Sequence, residues 1–206
     1  MKTKFLHIAT ALLFAGFTSS CSDFLDRYPL DELSDSSFWK TENDAMMAVT
    51  DIYGCLPTWD QDEDINSDNA VHGIKWAAGN ISKGIYDPMD QSWAGSYTPI
   101  RQCNLVLEKV KDIEMSDESR KKIEGQAYFF RAFVYFNLIR SFGDVPYIDK
   151  PLNLTDVEDI TRTPREEVYA KVMADFDKAI EYLPEEWDAA NTPRVTKGAA
   201  LAMKAR

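Results

Sequence analysis

The stretch DESRKKIEGQAYFFRAFVYFNLIRSF, residues 117–142, carries an apolar residue at nearly every three- or four-residue step. Ile123, Ala127, Phe130, Val134 and Leu138 define one stripe, and Phe129, Phe133 and Phe136 widen it past a single face. A helix that is apolar on most sides cannot lie on a surface. It belongs in a core or between two layers of other helices. Gly143, followed by Pro146, supplies the stop. This one element commits the chain to a mainly helical fold with neighbours on both sides of it.

Four further segments offer those neighbours. Thr41 is placed to cap a helix with Asp44 in the capping-box position, and Ala45, Ala48, Val49, Ile52, Tyr53 and Leu56 then form an apolar face that Pro57 ends. A second helix is predicted over 96–113, with Ile100, Leu107 and Val110 at helical spacing. Arg101 and Asn104 fall beside Ile100 on that helix, and Arg131 and Arg140 lie inside the aromatic one. All four read as structural: Arg101 and Asn104 should satisfy loop backbone groups, while Arg131 and Arg140 should pair with acids. A fourth helix is signalled by Thr163 as N-cap, Pro164 in the first helical position and Glu166 closing a T-x-x-E box. Val168, Val172, Phe176, Ile180 and Leu183 repeat along it to Pro184. A fifth starts near Thr196, where Ala199, Ala200 and Ala202 form a small-residue face. No stop signal follows, and the expectation is that the sequence is the N-terminal part of a longer protein. Extended pieces are expected only near 81–86 and 145–148. Antiparallel helix pairs with short connections suggest a tetratricopeptide-like helical-repeat scaffold.

The N-terminus reads as an export signal. Lys2 and Lys4 precede a nearly apolar run over 5–17 of about 13 residues, short for a membrane span of ~20. Small residues lead directly into Cys21, which resembles a bacterial lipobox and makes Cys21 the expected lipid-attachment site. Thr18 stands where a lipobox usually carries an aliphatic residue. A plain signal peptide, with Cys21 as an ordinary thiol, is the other reading. The expected domains are a signal at 1–20, an extended anchor segment at 21–40, and a helical domain at 41–206.

Charge narrows the function. Acids outnumber Lys and Arg by 34 to 23, a net −11, and removing the signal makes it −13. Such a chain repels phosphate backbones, so nucleic-acid binding is not expected. Besides Cys21 there are only Cys55 and Cys103, which form no zinc pattern and leave a disulfide between them open. No G-x-S-x-G, P-loop or H-E-x-x-H motif occurs, and His72 has no visible nucleophile partner.

Six blocks in register carry a family resemblance: CSDFLDRYPLDELSDSSFW, TENDAMMAVTDIY, YTPIRQCNLVL, GQAYFFRAFVYFNLIRSFGDVPY, TPREEVYAKVMADFDKAI and PRVTKGAALAMKAR. Behind a lipobox they resemble the SusD/RagB family, the surface nutrient-binding lipoproteins of Bacteroidetes. The resemblance implies a tetratricopeptide-like scaffold on the outer face of the outer membrane. It also implies a SusC-like TonB-dependent transporter as partner, oligosaccharides as cargo, and no enzymatic activity. Peptide cargo and a helical-repeat module without a small ligand are the alternatives.

The stretch 57–95 is long, polar and rich in Asp, Asn, Gly and Trp, and a compact domain rarely carries such a loop without a functional reason. The family's ligand face draws on the loop after the first helix. A glycan site needs flat aromatics for CH faces and polar groups for hydroxyls. Trp59, Asp68, Asn69, Trp76, Asn80 and Tyr86 are the candidates, and Trp93 reads as structural. Asp60, Asp62 and Asp64 alternate as in a calcium loop, but the required Gly and Glu are missing in either register. Calcium is thus a minor possibility, and no other cofactor is expected.

Overall fold

The structure is a computed structural model that describes residues 38–57, 93–156 and 159–206. Among these residues five α-helices stand in order: α1 Glu42–Ile52, α2 Trp93–Lys109, α3 Asp117–Phe142, α4 Arg165–Tyr182 and α5 Lys197–Ala205. Short 3-10 turns lie at Tyr53–Cys55 and Leu154–Asp156. Residues Trp39–Arg206 form one compact unit. The chain is mainly helical, as expected.

The helix ends show local chemistry at work. Thr41 and Asp44 form a reciprocal capping box at α1, with the Thr41 N–H donating to Asp44 Oδ2 at 2.8 Å. Ser116 Oγ accepts from Ser119 N–H at 3.0 Å to start α3, and Thr196 Oγ1 accepts from Ala199 N–H at 3.4 Å to start α5. The fourth expectation needs correction. Pro164, not Thr163, is the N-cap of α4, and its side chain has nothing to accept with. Thr163 is occupied elsewhere: its backbone pairs with Val145 in an isolated antiparallel bridge, and its hydroxyl accepts from Tyr147 N–H at 3.3 Å. Asp144 Oδ1 takes over the capping role by accepting from Arg165 N–H at 2.9 Å.

Helix α2 starts and stops earlier than its apolar spacing suggests. Val110 and Ile113 are buried, yet they lie in the turn beyond Lys109. Periodicity reports burial, and these two residues are buried without being helical. Arg120 caps the turn, donating to the carbonyls of Val110 at 3.2 Å and Ile113 at 3.1 Å.

Helix α3 is the centre of the fold, packing against α1, α2 and α4. Ile123, Ala127, Phe130, Val134 and Leu138 are buried, and so are Phe129, Tyr135 and Ile139 on flanking positions. Burying a side chain such as Phe130 contributes roughly 1.5–3 kcal/mol. Helix α4 docks closely because of Gly125: a Cβ there would stand 3.0 Å from Tyr182 Cβ and 3.2 Å from the Leu183 backbone nitrogen. Gly143 ends α3 at φ 70, a conformation that disfavours any Cβ. On α4 the buried face is Val168, Val172, Asp175, Phe176 and Ala179, while Ile180 is half-buried. On α5 only Ala200 is buried, and Ala202 is exposed.

Candidate functional site

Two polar hubs, the first buried and the second half-buried, tie the helices together. In the first, Arg131 of α3 forms a two-pronged ion pair with Asp175 of α4, both contacts at 2.7 Å. Its remaining arm donates to Asn104 Oδ1 of α2 at 2.8 Å. Asn104 Nδ2 then donates to the Ile148 carbonyl at 2.9 Å, and Tyr135 both donates to that carbonyl and accepts from the Ile148 N–H. Tyr97 donates to the Pro146 carbonyl at 3.0 Å. Helices α2 and α3 thereby pin the segment 145–150. Burial raises the Asp175 carboxyl, opposed by the hydrogen bonds and field of Arg131. For Arg131, burial opposes the charge, but its hydrogen bonds to Asp175 and the field of that carboxylate together outweigh burial and hold the guanidinium protonated.

The second hub ties the connection before α5 to α1 and α3. Tyr53 donates to Gln126 Oε1 at 2.8 Å and accepts from the Val195 N–H at 2.9 Å. Arg194 reaches Gln126 Oε1 and Thr50 Oγ1, and Trp187 Nε1 donates to the Val195 carbonyl at 2.7 Å.

A cleft of about 720 Å³ opens over α3. Its floor is the outer face of α3, with Phe133, Phe136, Asn137 and Arg140. One wall is the start of α2, with Gly95, Ser96, Thr98, Pro99 and Gln102. The rim is the end of α1 and its turn (Asp51, Gly54, Cys55, Pro57) and the end of α5 (Met203, Arg206). Pro99 has no N–H, so the Gly95 carbonyl lacks its usual i+4 donor and keeps acceptor capacity at the wall. Asn137 Nδ2 donates to the Phe133 carbonyl, which leaves Oδ1 to accept. The Asp51 carboxylate is engaged by the Gln102 amide. Half-buried phenyl groups, amides, hydroxyls and a guanidinium suit a ligand with apolar faces and hydroxylated edges.

Among the described lining residues Asp51 is the one carboxylate, whereas glycosidic cleavage needs two in opposition. Burial pushes the Cys55 thiol up to about 11, so it stays protonated and a weak nucleophile near neutrality. Burial also raises Cys103, and both cysteines are free thiols, so the open disulfide between them is not formed. No group of three or more His, Cys, Asp or Glu among the described residues could hold a metal ion.

The sequence-predicted residues fall into three groups. Asn104 and Arg131 sit in the first hub. Arg101 is exposed, a correction to its placement beside Ile100. The buried stripe of α2 runs through Ile100, Cys103, Asn104 and Leu107, and a step of one residue rotates Arg101 by about 100° away from Ile100. Arg140 is also exposed and pairs with no acid among the described residues; it lines the cleft instead. Trp93 packs edge-on against Phe142 at 4.8 Å, with Arg162 over its ring. Cys21, the loop candidates Trp59, Asp68, Asn69, Trp76, Asn80 and Tyr86, and the acids Asp60, Asp62 and Asp64 lie outside the described residues, as does the extended piece at 81–86. Asp175 was legible but missed: an acid within the apolar stripe of α4, one residue before Phe176, signals a buried partner.

Residues 23–206 match the SusD-like family described as "Starch-binding associating with outer membrane". A SusD-like protein of Formosa agariphila is 30% identical, aligned over 98% of this chain and 42% of its own length. A solved SusD-like protein from Bacteroides fragilis superposes with a TM-score of 0.74 at 27% identity, covering 87% of this chain and 37% of its own. Another from the same species, described as a SusD-like carbohydrate binding protein, gives a TM-score of 0.67 at 25% identity, with 82% and 37% covered. The chain thus spans about two fifths of the length of the relatives it matches. No helix among the described residues is long and apolar enough to cross a membrane.

Proposed function

The chain belongs to the SusD-like family, and on that ground we propose that its full-length protein is a cell-surface lipoprotein that captures glycans and passes them to a SusC-like TonB-dependent transporter. The observation that carries this reading is the match across nearly the whole mature chain, residues 23–206. The scaffold supports it. One buried and one half-buried polar hub tie the helices together, and a preorganised support lowers the ordering cost of binding. The cleft adds aromatic and amide groups of the kind sugars use. In this reading Cys21 carries the lipid, residues 1–20 are the signal, residues 21–40 lead from the anchor into the helical domain, and the stretch 57–95 contributes Trp59, Asp68, Asn69, Trp76, Asn80 and Tyr86 to the ligand face. The protein binds and releases its cargo without cleaving it.

Affinity electrophoresis of the full-length mature protein, with Cys21 replaced, against a panel of polysaccharides tests the reading. Retardation by at least one glycan, weakened in Trp76→Ala, is the expected result. Mobility unaffected by every glycan, together with binding to peptides, would transfer the cargo to peptides.

A further inference from the structure

We infer that the cleft over α3 takes a saccharide bearing a carboxylate, a uronic acid unit, with Arg140 reading the charge. The inference rests on the glycan-capture reading and names the ligand class of one site within it.

The argument starts from charge. The chain carries 34 acids against 23 Lys and Arg. Among the described residues its cleft inverts that balance: they line it with two arginines, Arg140 and Arg206, and one acid, Asp51. That acid is already engaged by the Gln102 amide. Arg140 differs from most arginines around it. Arg120, Arg131, Arg162, Arg165 and Arg194 all donate to protein partners. Arg140 has no hydrogen bond or ion pair among the described residues, and its guanidinium is exposed at the cleft. A cation in the last turn of α3 is favoured by the carbonyl ends of that helix. This accounts for a basic residue there, but not for its place in a cleft whose one acid among the described residues is engaged by Gln102. The planar fork of a guanidinium matches a carboxylate with two parallel hydrogen bonds. Asn137 Oδ1 and the Gly95 carbonyl remain as acceptors for hydroxyls, and Phe133 and Phe136 offer half-buried apolar surface. A neutral sugar offers the fork only single hydroxyl acceptors; a uronate adds a charged partner that matches both parallel donors.

The test compares polygalacturonate with starch in affinity electrophoresis of the full-length mature protein, its Arg140→Gln variant and its Arg165→Gln variant. Arg165 is an exposed cation on α4 outside the cleft, so its variant matches the change in net charge. Thermal melts check that both variants fold. The expected result is retardation by polygalacturonate that weakens with added salt, drops about tenfold or more in affinity in Arg140→Gln, and is unchanged in Arg165→Gln. Retardation by neutral glycans only, or polygalacturonate binding that survives Arg140→Gln, overturns the inference and leaves glycan capture standing. Retardation by no glycan at all overturns both.

Discussion

Replacing Asp175 with Ala removes one half of a buried ion pair and strands the other. Arg131 and Asp175 side chains are each 8% exposed, and two contacts of 2.7 Å join them. Without Asp175 the guanidinium keeps a single side-chain acceptor, Asn104. Its charge remains, because a guanidinium holds its proton far above neutral pH. Stranding a buried charge in this way costs about 3–5 kcal/mol. For a domain of this size each kcal/mol lowers the melting temperature by roughly 2–4 °C, so Asp175→Ala should melt about 6–20 °C below the wild type. Thermal melts by circular dichroism on the mature protein would read this directly. Should Asp175→Ala fail to fold, the near-isosteric Asp175→Asn keeps one acceptor and is expected to lose less. The double variant Arg131→Met/Asp175→Leu completes the cycle. It should be clearly more stable than the sum of the two single losses, since both charges leave together. A fall below about 2 °C for Asp175→Ala, or strictly additive losses in the cycle, would refute the idea that this pair locks α2, α3 and α4.

Gly125→Ala should destabilise by about 1–3 kcal/mol, because the new methyl meets the Tyr182 and Leu183 backbone region rather than a yielding side-chain tip; urea titration would measure it, and a neutral result would show that α4 can shift. Glu124 lies half-buried, and burial raises its carboxyl above the ordinary value of 4.5. A carboxyl raised in the folded state weakens stability as pH climbs from 4.5 through the folded value, where the buried charge appears. Glu124→Gln should therefore lack that decline and be more stable than the wild type at neutral pH, as denaturant midpoints at pH 4 and pH 7 would show.

Much of the scaffold was legible in order. The bounds of α3 follow from local signals: Ser116 before it, Gly143 after it, and an apolar pattern too wide for a surface. The capping box at Thr41 and the cap at Thr196 are likewise local chemistry, closed within three residues. The family resemblance rests on the same kind of ordered signal and extends over residues 23–206. Thr163 shows where local reading ends. Its spacing to Glu166 fits a capping box, yet a bridge to Val145 and a bond to Tyr147 claim its groups, and Asp144 caps the helix instead. Those partners lie 16 to 21 residues away from the groups they bond.

The candidate site was less legible for the same reason. Arg101, Arg131 and Arg140 look alike as arginines within apolar helices. Which is buried against Asp175, which is exposed on α2, and which lines a cleft depends on how neighbouring helices rotate about their axes. A helix turns about 100° per residue, so an error of one position moves a side chain from core to solvent. The sequence by itself determined the helical class, the order of the helices, most of their caps and the family, because those depend on contacts a few residues apart. The tertiary structure alone decided which polar groups meet across helices and where the cleft opens, because those depend on packing between residues dozens of positions apart.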